Sequence, residues 1–140
     1  MGSGLRGTLA IVAAGALLAG CGSSTSYQNK PRPPAPIVIT ASIQKDKVSV
    51  SPRRFGAGPV SLIIVNQTEA AQQVTFESKG GGGGFTQQTG PINPRDTATL
   101  RADVPSGDAV VRVGGAGGIQ AAQVRVGSRR ESAQNQLLQP

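Results

Sequence analysis

Of the residue types that carry out covalent or metal chemistry, this sequence of 140 residues has very few: one cysteine, Cys21, and no histidine. A Ser-His-Asp or Cys-His set needs an imidazole to take the proton from its nucleophile, so hydrolysis of that kind is excluded. Zinc is held by imidazole, thiolate or clustered carboxylates. The acids Asp46, Glu69, Glu77, Asp96, Asp103 and Asp108 stand singly, with no D-x-D spacing that would converge on calcium. A carboxylate pair for glycoside hydrolysis would have to assemble from distant strands, and nothing in the spacing points to one. They read as ordinary surface acids. The glycine runs at residues 80–84 and 114–118 do not fit a phosphate cradle, because neither leads to Lys-Ser/Thr or shows G-x-G-x-x-G spacing. They read as flexible loops, with a backbone-amide nest for an anion as the remaining alternative. No catalytic residue, metal or cofactor is expected.

Cys21 is left, and its position is informative. Arg6 and the amino terminus form a short positive region, followed by uncharged residues 7–20 with Leu9, Ile11, Val12, Leu17 and Leu18 as the apolar backbone. A helix needs about 20 residues to cross a bilayer, so this stretch is too short to span one but suits a signal-peptide core. It ends in Leu18-Ala19-Gly20-Cys21, which closely resembles the bacterial lipobox. The resemblance implies that the Cys21 sulfur receives a diacylglycerol and that cleavage falls between Gly20 and Cys21. An ordinary secretory cleavage nearby and an uncleaved anchor are the two alternatives. Two or three acyl chains anchor a protein stably where one does not. The implied location is the extracytoplasmic face of the cell membrane, or the outer membrane in a two-membrane host, because Gly22 is not the aspartate that signals inner-membrane retention. A lone cysteine also rules out a disulfide within the chain, so the folded part is held by packing.

The rest of the chain divides by composition. Residues 1–20 form the signal peptide and 21–36 a linker, flexible at first (Gly22, Ser23, Ser24) and stiffened by Pro31, Pro33, Pro34 and Pro36. At about 3.1 Å per residue such a spacer reaches about 45 Å when fully extended. Residues 37–127 form one domain with a modest, largely aliphatic core, because phenylalanine occurs only at 55, 76 and 85 and tryptophan is absent. Residues 128–140 read as a polar tail relieved only by Leu137-Leu138. The formal charge of +7 falls to about +6 once Arg6 is removed with the signal. The bases are scattered, with Arg53-Arg54 and Arg129-Arg130 the only adjacent pairs, and no aromatics interleave to form a stacking platform. Nucleic acid is therefore not an expected partner. Membrane lipid through acylated Cys21 is one, and an envelope protein or an anionic wall polymer is another.

Within the domain, short β-type runs alternate with turn residues. They are residues 37–40, 47–51, 60–65, 73–77, 97–102, 109–113 and 123–126. Run 47–51 alternates strictly, as a half-buried strand does, and run 60–65 is apolar on both faces except Ser61, which makes it the central strand. Residues 53–59 read as a loop or bend after Pro52. Seven turn-bounded strands without helical periodicity predict an all-β fold, a single antiparallel Greek-key sandwich.

In this order the domain resembles a cupredoxin. The apolar strand 60–65 followed by Asn66, the strand 73–77 after it, the late strand Gly107-Asp108-Ala109-Val110-Val111-Arg112-Val113 and the closing Val124-Arg125-Val126 carry the likeness over about 90 residues. The resemblance implies a copper site made from two imidazoles, a thiolate and often a methionine. Its first histidine would fall at or beside Gln72, its cysteine at Val113, and its second histidine and methionine within residues 114–119. None of these ligand types is present there. The sequence thus predicts a non-enzymatic, membrane-anchored lipoprotein presenting a copperless cupredoxin-like sandwich as a binding or structural module. The five-glycine run, Phe85 and Arg53-Arg54-Phe55 are the first features to test. A metal-handling or electron-transfer relative is the alternative.

Overall fold

A computed structural model of the chain describes residues 31–79, 84–115 and 118–133. Cys21, Gly20 and the rest of the expected signal peptide lie outside the described residues, as do Gly80 to Gly83 and Leu137-Leu138. Eight strands and no helix are present among the described residues: β1 (Ile37–Ile43), β2 (Val48–Ser51), β3 (Arg54–Asn66), β4 (Val74–Lys79), β5 (Thr86–Gln88), β6 (Thr97–Val104), β7 (Gly107–Val113) and β8 (Ala122–Arg129).

The strands run in the order β2-β1-β3-β8-β7-β4-β5, with β6 added on β3. β3 belongs to both layers. Its first residues pair with β8, Arg54 opposite Arg125 and Ala57 opposite Arg129, with a register shift at Gly56/Ala57. From Val60 onward it lies between β1 and β6. The all-β sandwich is as expected, but the sheets are mixed: β1 and β8 both run parallel to β3, whereas the remaining pairs are antiparallel. Parallel pairing arises because the chain crosses between layers before returning beside β3.

Period-two burial builds the core. Ile39, Ala41 and Ile43 point inward from β1, Leu62 and Ile64 from β3, Val74 and Phe76 from β4, and Val124 and Val126 from β8. Phe76 is wholly buried, and its ring meets Phe85 edge-on at 4.7 Å and 78°. The expectation of a loop at residues 53–59 is not met, because β3 already begins at Arg54. Pro59 is tolerated there since pairing with β1 starts only at Val60, so its missing N–H interrupts no bond on that side. β8 continues to Arg129, two residues past the expected domain end at Gly127. Arg130 then reaches back, its Nε donating to the Gly56 carbonyl at 3.1 Å and its terminal nitrogens to the Pro59 and Ala35 carbonyls. The end of the linker is thereby held: Pro34 is buried, and its ring lies beside Gly58, whose φ of +127° favours glycine.

Candidate functional site

The positions that the cupredoxin resemblance assigns to copper ligands come together at one end of the sandwich. β3 ends in Asn66, which is wholly buried. Its amide nitrogen donates to the carbonyls of Ala70 (2.8 Å), Ile92 (2.9 Å) and Asn93 (3.2 Å). Its Oδ1 accepts from the Thr68 amide at 2.9 Å and the Thr68 hydroxyl at 2.7 Å. One side chain therefore ties the loop after β3 to the loop before β6. Gln72 and Ile92 exchange both backbone bonds, at 3.0 and 2.8 Å. The amide of Gly114, just past β7, donates to the Gln73 carbonyl at 2.7 Å. The Gln120 amide, donating to Asp46 at 2.8 Å, draws the loop after β7 toward the β1–β2 turn.

Between these loops lies an open cleft of about 370 Å³ lined by Lys45, Thr68, Glu69, Gln72 and Ile119 among others. The side chains there are an amide, a hydroxyl, a carboxylate, an ammonium and an aliphatic group. The Gln72 Nε2 is engaged with the Thr68 hydroxyl at 3.3 Å. Val113, where a thiolate would be needed, is aliphatic and half-buried. A blue-copper centre requires soft sulfur and imidazole donors, and this donor set does not fit one. No group of three or more histidine, cysteine or acidic side chains capable of holding a metal occurs among the described residues.

A second locality was not legible as a site. Arg53 and Arg54, at the start of β3, meet Arg125 of β8. Arg54 lies directly opposite Arg125, and Arg125 opposite Asp108. Together with Arg53 and Gln123 they line a shallow polar groove of about 260 Å³. The Arg125 Nε stands 3.7 Å from Asp108, with both side chains more than half exposed. On the same sheet Arg112 and Glu77 pair at 2.7 Å. That hydrogen bond, and next the attraction of the carboxylate, hold the Arg112 guanidinium above its usual pKa. Phe85 is half-buried: it packs on Phe76, and its amide donates to the Ser78 hydroxyl at 3.1 Å. Phe55 likewise packs against the core.

No protein-family model and no curated protein matches the sequence. Among solved structures, the chain is similar to auracyanin A, a blue copper protein from the green thermophilic photosynthetic bacterium Chloroflexus aurantiacus. The TM-score is 0.53 at 10% identity, over 66% of this chain and 99% of that one. A multi-copper oxidase from Pediococcus acidilactici also aligns, with a TM-score of 0.41 and 11% identity over 79% of this chain. The chain spans only 29% of that oxidase. At 10% identity the likeness to auracyanin A is one of fold, and the fold is cupredoxin-like.

Proposed function

We propose that this chain is a lipid-anchored, non-enzymatic module of the cell envelope, in which a cupredoxin-like sandwich binds a partner rather than copper. The observation that carries the reading is the donor set at the ligand end. Gln72, Val113 and the loop to Ile119 occupy the ligand positions, and Thr68 already engages the Gln72 amide. Placement at the membrane rests on Leu18-Ala19-Gly20-Cys21, with acylation of the Cys21 thiol after cleavage at Gly20.

Two measurements test this. Titration of the purified protein with Cu(II) and Cu(I) is expected to show no stoichiometric, tight uptake and no intense blue absorption band. Tight one-to-one uptake would replace the binding module with the electron-transfer reading that likeness to a blue copper protein favours. Mass spectrometry of native material is expected to find Cys21 as the first residue, carrying acyl chains. An intact Met1 or a free thiol at position 21 would remove the anchor.

A further inference from the structure

We propose that the groove between Arg53, Arg54 and Arg125 docks the domain onto anionic phospholipid headgroups of the membrane toward which the N-terminal linker leads. The membrane's proximity rests on the lipid-anchor reading; the charge of the surface does not. Three guanidinium groups share the groove with the Asp108 carboxylate, which leaves two net positive charges. Arg54 and Arg125 are register partners on neighbouring strands, an arrangement that like charges disfavour in isolation and that an anion between them relieves. Guanidinium groups also present paired donors that suit phosphate oxygens.

The linker arrives at this same edge. Arg130, one residue past β8, holds the Ala35, Gly56 and Pro59 carbonyls, and Pro34 lies beside Gly58. Arg54 is four residues before Gly58 on β3, about 13 Å at 3.3 Å per residue. Pro34 and Ala35 sit on that side, so an acyl anchor on Cys21, upstream of them in the chain, would tether the β3/β8 edge to the bilayer. Neighbouring charge is close to balanced: Arg129 faces Asp103 at 3.4 Å, and the exposed Glu131 follows Arg130.

The test is sedimentation of the full chain carrying Cys21→Ser, so that no acyl chain contributes. The vesicles are phosphatidylcholine alone or with about 30% phosphatidylglycerol, in about 0.05 M and about 0.5 M salt. Neutral vesicles report whatever the apolar N-terminal residues contribute, and the part of the anionic increment that changes in the groove variants reports the groove. Each basic residue near an anionic surface strengthens binding about fivefold, so two net charges give an increment of about 25-fold at low salt. The triple variant R53Q/R54Q/R125Q is expected to lose the groove's share, at least about 25-fold at low salt, while keeping the parent's Tm. D108N is expected to gain about fivefold, a change that misfolding would not produce. Equal binding by the triple variant, no gain in D108N, or an increment that survives high salt would each overturn the proposal. Binding to a soluble poly(glycerol phosphate) but not to anionic vesicles would also overturn it, in favour of a wall polymer. A free thiol on native Cys21 would sink the anchor and leave this vesicle measurement untouched.

Discussion

At the level of single residues, the ligand-end loops depend on Asn66 and the linker on Arg130. An amide offers two N–H donors and an acceptor, and Asn66 spreads them over three carbonyls and Thr68. Asn66→Ala removes those bonds, but each carbonyl keeps another donor, the Thr68 hydroxyl on Ala70, the Gln72 amide on Ile92 and the Asp96 amide on Asn93, so the cost is about 2 kcal/mol. Asn66→Asp keeps the shape but turns a donor into an acceptor facing three carbonyl oxygens. It is expected to lose at least as much, and urea denaturation midpoints of both variants check this. At Gly56 an added Cβ would sit 2.6 Å from Arg130 Cγ and 3.1 Å from the Ser128 carbonyl. The Arg130 side chain must then move, so Gly56→Ala and Arg130→Ala are each expected to cost about 1–2 kcal/mol. Both remove the same bonds, and the double variant should fall about 1 kcal/mol short of additivity. An additive cycle in urea would show that the two do not communicate. The cupredoxin resemblance, carried by strands whose alternation is legible, is what places Gln72 and the loop to Ile119 at the ligand end. The role of Arg130 is not legible, since its acceptors lie 71 to 95 residues away.

At the level of elements, the runs with alternating or apolar pattern are the ones the structure contains. Val48–Ser51 within run 47–51, and β7 from its turn at Gly107, are read almost to the residue. The misreading at residues 53–59 has a physical origin. Gly56, Gly58 and Pro59 carry turn chemistry, yet here the glycines make room for Arg130, and β8 supplies the pairing that holds the segment extended. Local composition does not contain that partner. β5 is missed for a different reason: Thr86, Gln87 and Gln88 are all exposed and show no hydrophobic period. The basic groove was invisible because Arg54 and Arg125 become neighbours only through the β3–β8 register. The sheet of β4, β5, β7 and β8 takes its only wholly buried aromatic from β4. Phe76→Ala is therefore expected to cost about 3–5 kcal/mol, and Phe76→Leu much less. Phe85 lies half-buried against it, so Phe85→Ala should cost less than Phe76→Ala. A Phe76/Phe85 double-mutant cycle should return about 0.5–1.5 kcal/mol for the edge-on pair. A coupling near zero would mean the two rings pack independently.

For the whole molecule, the ligand-position loops and the anchored linker lie at opposite ends of the sandwich. The loops of Gln72 and Ile119 lie where β1 and β3 end, at Ile43 and Asn66, whereas the linker and Arg130 lie where β1 begins. The stability of such a molecule should be nearly independent of pH around neutrality. Histidine is the side chain whose ordinary titration falls between pH 5 and 8, and the sequence has none. Among the described residues, the group with a resolved shift is Arg112, raised by its hydrogen bond to Glu77 and then by the carboxylate's charge. A raised cationic group contributes fully below its unfolded pKa and loses that contribution only as pH climbs through the folded value. For a guanidinium that loss lies far above any working range, so Arg112 adds no slope near neutral pH. The expected result is a Tm that moves by less than about 2 °C between pH 5.5 and 8, on the order of half a kcal/mol or less. The anionic-vesicle increment should be equally flat over that range, because arginine charge does not change within it. A midpoint that climbs or falls steadily across this window in calorimetry would require a titrating group that the described structure does not contain.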